Sequence, residues 1–248
     1  MKNYKAEAIV LRAIDVGNGD KLILLYTKEQ GKIKAMAHGV AKPTSRKRGA
    51  VQLLSHSRFL ITKGREMDTI SQGELIEIFP FLWNSLPRLT QASYMAELTD
   101  AFTPDGEPNS RLFSMLLQAL HALAEGDGEL INRIFEMRLV ALSGYLPILD
   151  SCANCQEPLS GRITFSPSLG GALCENCLST DITAIPLTYG ALENMRLFLI
   201  WPTEKLRRLK TDPATAGCIK QSLQGFIRYT LEKDLKTTAY ANTHPTAF

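Results

Sequence analysis

Four cysteines stand as two pairs in the middle of the chain, Cys152-Ala-Asn-Cys155 and Cys174-Glu-Asn-Cys177, in the arrangement C-x2-C-x18-C-x2-C. Each pair closes a tight turn with both sulfurs facing one point. Four thiolates gathered in this way form a closed tetrahedral Zn2+ site. Such a site leaves no position open for water or substrate. It predicts one structural Zn2+ per chain, held by Cys152, Cys155, Cys174 and Cys177, and it places the activity elsewhere. The fifth cysteine, Cys218, falls in a helix-like segment and reads as a small buried residue.

The chain has 248 residues, 45% hydrophobic and 21% charged, enough for two domains or three small ones. No apolar run approaches the roughly 20 residues needed to span a bilayer. The opening residues lack the apolar stretch of a signal peptide, so the expected location is the cytoplasm, with the cysteines reduced. The net charge of +3 conceals an asymmetry. Residues 1–80 hold 14 Lys/Arg against 8 Asp/Glu, and the remainder 14 against 17. A one-ended basic field suits a polyanion, because cations that neutralise phosphates release condensed counterions.

The first 80 residues read as five short strands. Ala6–Ile14, Leu22–Thr27 and Lys32–His38 come first, with turns at Val16–Asp20 and Lys28–Gly31; strand-like runs follow at Gln52–Thr62 and Asp68–Ile78. Five strands over this length predict a small Greek-key barrel of the OB type, although an SH3-like barrel gives a similar pattern. The segment Gly39–Gly49 carries Lys42, Arg46, Lys47 and Arg48 with no acid, and reads as a mobile basic arm that grips phosphates.

After Phe79-Pro80-Phe81 the period changes to that of helices, at Thr90–Ala101, Ser110–Ala124 and Leu130–Ser143, with Asn109 or Ser110 as an N-cap and Gly144 as a stop. The stretch between the cysteine pairs, Ile163–Leu173, reads as a hairpin turning near Gly170-Gly171, which is the zinc-ribbon pattern. Helices resume at Thr188–Trp201, Lys205–Lys210 and Ala214–Glu232, and the tail from Lys236 shows little pattern. The expected architecture is α+β and multidomain: an OB-type barrel over 1–80, a helical domain in two parts over 81–149 and 181–248, and an inserted zinc ribbon over 150–180.

This order resembles the RecO family of bacterial recombination mediators. The residues that carry the likeness are Ala8–Leu11 with Gly19–Leu22, Thr27–Ile33, His38–Val40 with its basic continuation, and Phe135–Leu139 leading through Ser143–Pro147 to the Cys152/Cys155 pair. The resemblance implies a protein that binds single- and double-stranded DNA and anneals complementary strands. It also implies work with the partner RecR to load RecA onto DNA coated with single-strand-binding protein, and contact with the acidic C-terminal tail of that coating protein.

On this reading Lys32 and Lys34, two apart on one strand face, join Lys42, Arg46, Lys47 and Arg48 as DNA contacts. Tyr26 either stacks on a base or fills the barrel core. For the acidic tail, Arg133, Arg138, Arg196, Arg207, Arg208 and Lys210 are candidates by charge. No HExxH, P-loop, G-x-G-x-x-G or Ser/His/Asp arrangement is present, so no catalysis is expected. His38, His56, His121 and His244 are scattered and read as packing or surface residues. Two rival readings are a zinc enzyme, which needs an open metal site, and a zinc-ribbon adaptor of transcription or translation.

Overall fold

The computed structural model describes residues 2–206 and 208–237. They form two compact units that divide between Ala124 and Glu125. The expected tail pattern beyond residue 237, and Arg207 and His244, lie outside the described residues.

The first unit is built on a closed barrel of β1 (Asn3–Gly17), β2 (Asp20–Thr27), β3 (Gly31–Ala37), β4 (His56–Thr62) and β5 (Asp68–Glu77), in the order β1-β2-β3-β5-β4. All neighbours are antiparallel except β3 and β5, which pair in parallel at Ala35↔Asp68 and Met36↔Thr69. This is the OB-type closure. The long β1 serves both sides: Asn3–Ile9 pair with β4, and residues from Ala8 onward pair with β2. Strand alternation sends Ala6, Ala8, Val10, Ile23, Leu25, Ala35, Ala37, Phe59, Ile61 and Ile70 inward. The many alanines let a five-stranded barrel close tightly around one phenylalanine.

Residues 38–54 correct two expectations. The strand expected from Gln52 begins only at His56, and the basic segment is not a loose arm. It runs as successive turns tied by Ser45 N–H to Lys42 O, Val51 N–H to Lys47 O and Leu54 N–H to Val10 O. Its apolar residues Val40, Ala50 and Val51 join the barrel core. A barrel of this size has an open end, and these side chains stop it, which the basic composition alone conceals.

Among the described residues, three helices complete the unit: α1 (Pro80–Trp83), α2 (Leu86–Phe102) and α3 (Ser110–Ala122). Asn109 caps α3 by accepting from Leu112 N–H at 3.0 Å. The α2–α3 connection crosses the β2–β3 hairpin closely. At Gly31, φ is +67° and a Cβ would lie 2.1 Å from Glu107 O.

The second unit holds α4 (Gly128–Leu142), the ribbon strands β6 (Ile163–Ser166), β7 (Gly171–Leu173) and β8 (Ile185–Leu187), then α5 (Tyr189–Ile200), α6 (Thr203–Leu206) and α7 (Pro213–Leu231). Asp127, Thr188 and Asp212 cap α4, α5 and α7 with side-chain oxygens. Gly144 ends α4 at φ +88°. The ribbon is a three-stranded sheet, β7-β6-β8, and not the expected hairpin alone. Phe165 on β6 meets Phe226 on α7 edge to face, centroids 6.0 Å apart, which fastens the ribbon to the helices. The short helix expected at Lys205–Lys210 sits earlier, at Thr203–Leu206, directly after Pro202 fixes its start.

Candidate metal centre and nucleic-acid interface

The four ribbon cysteines converge. Their Sγ atoms all lie within 4.8 Å of one another, and Cys155 Sγ and Cys174 Sγ are 3.7 Å apart. Ligands about 2.3 Å from a tetrahedral Zn2+ stand about 3.8 Å from each other, so the cage fits that ion. The second shell suits thiolates: Cys174 N–H donates to Cys152 Sγ at 3.4 Å and Asn154 Nδ2 to Cys177 Sγ at 3.3 Å. Burial opposes ionisation of Cys152, yet the N–H groups of Cys155, Cys174 and Asn154 overcome it and take the thiol down to about 6. Burial and the neighbouring Cys152 push Cys174 up. Four thiols this close ionise together only when a cation shares their charge. No other group of three or more His, Cys, Asp or Glu among the described residues forms such a cluster. His38, His56 and His121 instead lie beside Asp20, Glu7 and Glu77 in the first unit.

The barrel cations divide sharply. Lys32 and Lys34 do share a face of β3, where the α2–α3 region buries Lys32 and leaves Lys34 exposed. Lys32 Nζ is nearly buried, donates to Asp100 O at 2.7 Å, and pairs with Asp100 at 3.1 Å and Asp105 at 3.4 Å. Lys34 pairs with Asp105 at 3.2 Å. Burial works against the Asp105 carboxylate, but the two lysines hold its pKa below the usual range. Acids thus lie against both lysines, Lys32 in a nearly buried pair that serves the fold and Lys34 in an exposed one.

Tyr26 is fully buried and fits neither sequence reading. It is out of phase with the inward Ile23 and Leu25, so it points out of the barrel. There its hydroxyl reaches Asn109 O at 3.4 Å, and burial raises its pKa to about 12. No ring face remains for a base.

Within the turn segment, Lys47 Nζ donates to Ile70 O at 3.1 Å and is half-buried. Lys42 is exposed; with the Gly39 N–H and His38 it keeps the Asp20 carboxyl below its ordinary range. Arg46 and Arg48 are exposed and form no ion pair among the described residues. With the exposed Lys42, which also forms no ion pair among the described residues, they are the available cations of the predicted set.

The acidic-tail candidates thin out similarly. Arg133 is buried against Glu136 at 2.9 Å. Arg138 is half-buried and donates to Phe198 O at 2.7 Å, Trp201 O and Thr203 Oγ1, which closes the end of α5. Arg196 pairs with Asp150 and Glu193 and donates to Leu149 O. Arg208 and Lys210 are exposed.

An OB-type barrel with free cations on its end plug, followed by helices that carry a four-thiol ribbon, defines a class of barrel-and-ribbon proteins. Two family models cover nearly the whole chain: Recombination protein O N terminal at residues 1–79 and Recombination protein O C terminal at residues 84–239. The chain is 50% identical over 240 residues to the DNA repair protein RecO of Pelotomaculum thermopropionicum, covering 97% of this chain and 94% of that one. It is 42% identical to that of Desulforamulus reducens, with the same coverage, and 34% identical to that of Symbiobacterium thermophilum over 98% of both chains. This chain belongs to the RecO family of DNA repair proteins.

Proposed function

We propose that this chain is a recombination mediator that binds single- and double-stranded DNA, anneals complementary strands and, with RecR, helps load RecA onto DNA coated with single-strand-binding protein. The observation that supports it most is the pair Arg46 and Arg48. They are exposed and unmatched by acid on an ordered segment of a basic barrel. Cations carried on a tied backbone hold two strands near one another and screen their repulsion, and pairing needs no bond-making step. The chain is read as a non-enzyme located in the cytoplasm at the nucleoid. Among the described residues no helix is long and apolar enough to cross a membrane.

Cys152, Cys155, Cys174 and Cys177 would hold one Zn2+, whose contribution is to fold the ribbon. For the acidic tail of the coating protein we propose the helical region, where Arg208 and Lys210 are the exposed cations of the candidate set among the described residues. RecR and RecA enter through the family reading.

The test is annealing of two labelled complementary oligonucleotides, coated with the cognate single-strand-binding protein, without nucleotide. Acceleration by this chain is the expected result. Intact DNA binding with no acceleration would reject the annealing role.

A further inference from the structure

The first unit contains a groove of about 590 Å³ where the end of β1 and the start of β2 meet the turn segment 38–54 and α1. Val40 and Val51 contribute its apolar floor, and both are buried in the barrel core. One wall is Trp83, at the end of α1, with 51% of its surface exposed. Lys21, Asp15 and Arg48 stand on the rim. Asp15 is taken up by Lys21 at 3.3 Å, whereas Arg48 has no acidic partner among the described residues. A flat aromatic wall, an apolar floor and a net positive rim match one ligand chemistry, a nucleobase joined to phosphates. The indole offers a stacking face and the cations offer charge pairing. The volume lies in the range of sites for small ligands, roughly 300–1,000 Å³. Bases within a duplex are already stacked on both faces, so an aromatic wall favours an unpaired strand.

We propose that this groove seats one unstacked base of single-stranded DNA against the Trp83 indole, with an adjoining phosphate at Arg48. The proposal rests on the DNA-binding reading above and adds to it a stacking residue and a strand-state preference. Trp83 takes the role that buried Tyr26 cannot fill.

The chain has two tryptophans, so Trp201→Phe leaves Trp83 as the sole indole. In that background, emission is followed while labelled oligo-dT or a duplex of equal length is added, with binding read separately by anisotropy. Oligo-dT is expected to quench the emission and the duplex to leave it unchanged. Trp83→Ala is expected to weaken single-strand binding about tenfold while sparing duplex binding, with Trp83→Phe between the two. Binding of oligo-dT without quenching overturns the groove assignment and leaves the DNA-binding reading standing. An equal loss on both DNAs in Trp83→Ala, with Trp83→Phe also impaired on both, overturns it as well. Quenching by an acidic peptide and not by oligo-dT gives the groove to a protein partner. Absence of binding to either DNA by anisotropy rejects the underlying reading itself.

Discussion

At the scale of single residues, the barrel separates cations that hold the fold from cations left for a partner. Lys32, Lys34 and Lys47 are engaged by Asp100, Asp105 and Ile70 O, while Arg46 and Arg48 face solvent. Reversing Arg46 and Arg48 to Glu should therefore weaken DNA binding on every sequence. The slope of log K against log salt should become shallower by about 2 on duplex DNA, at roughly 0.9 per phosphate contact. Anisotropy across a salt series measures this, and an unchanged slope would remove the segment from the interface. Strand period placed Lys32 and Lys34 on one face correctly. Their acidic partners come from a segment some seventy residues away in the chain, which no local pattern encodes. The burial of Tyr26 has the same origin, since its cover is the Asn109 region.

At the scale of elements, local chemistry was legible and close approach was not. The caps at Asn109 and Gly144 and the β2–β3 hairpin follow from residue type. The three-residue strand β8 leaves little sequence signal because it is short and carries Pro186, which a sheet tolerates at its edge, where β8 lies. Glycine at residue 31 was expected from turn chemistry, but the nearby Glu107 backbone was not. Gly31→Ala meets both a positive φ and that backbone, so it should destabilise the first unit by about 2 kcal/mol or more. Urea unfolding followed by circular dichroism tests this, and a midpoint equal to the parent's would show that the connection yields easily. The cysteine spacing, by contrast, disclosed the whole thiol cage, because the two turns of a ribbon are local structures brought together by one hairpin.

At the scale of the whole molecule, each compact unit has its own core, and the thiol cage belongs to the second alone. Removing metal with a chelator, or Cys174→Ser, should abolish zinc binding and amide protection across β6, β7 and β8 while the barrel strands stay protected. A loss of about 2–3 kcal/mol in that unit corresponds to a fall in Tm of roughly 8–12 °C. Hydrogen exchange with metal analysis checks both; loss of barrel protection to the same degree would show that the units do not behave separately. The long β1 has a consequence for biosynthesis. Its first half waits for β4, since Asn3 pairs with Thr62. At roughly 5–20 residues per second, the ribosome delivers that partner several seconds later. During this interval the hairpin of β1 with β2 and β3 exists with half of β1 unpaired, an exposed ladder open to other nascent chains. Slower translation through codons 38–62 should therefore lower the yield of soluble protein, and an unchanged yield with slow synonymous codons there would show that the unpaired half of β1 is harmless.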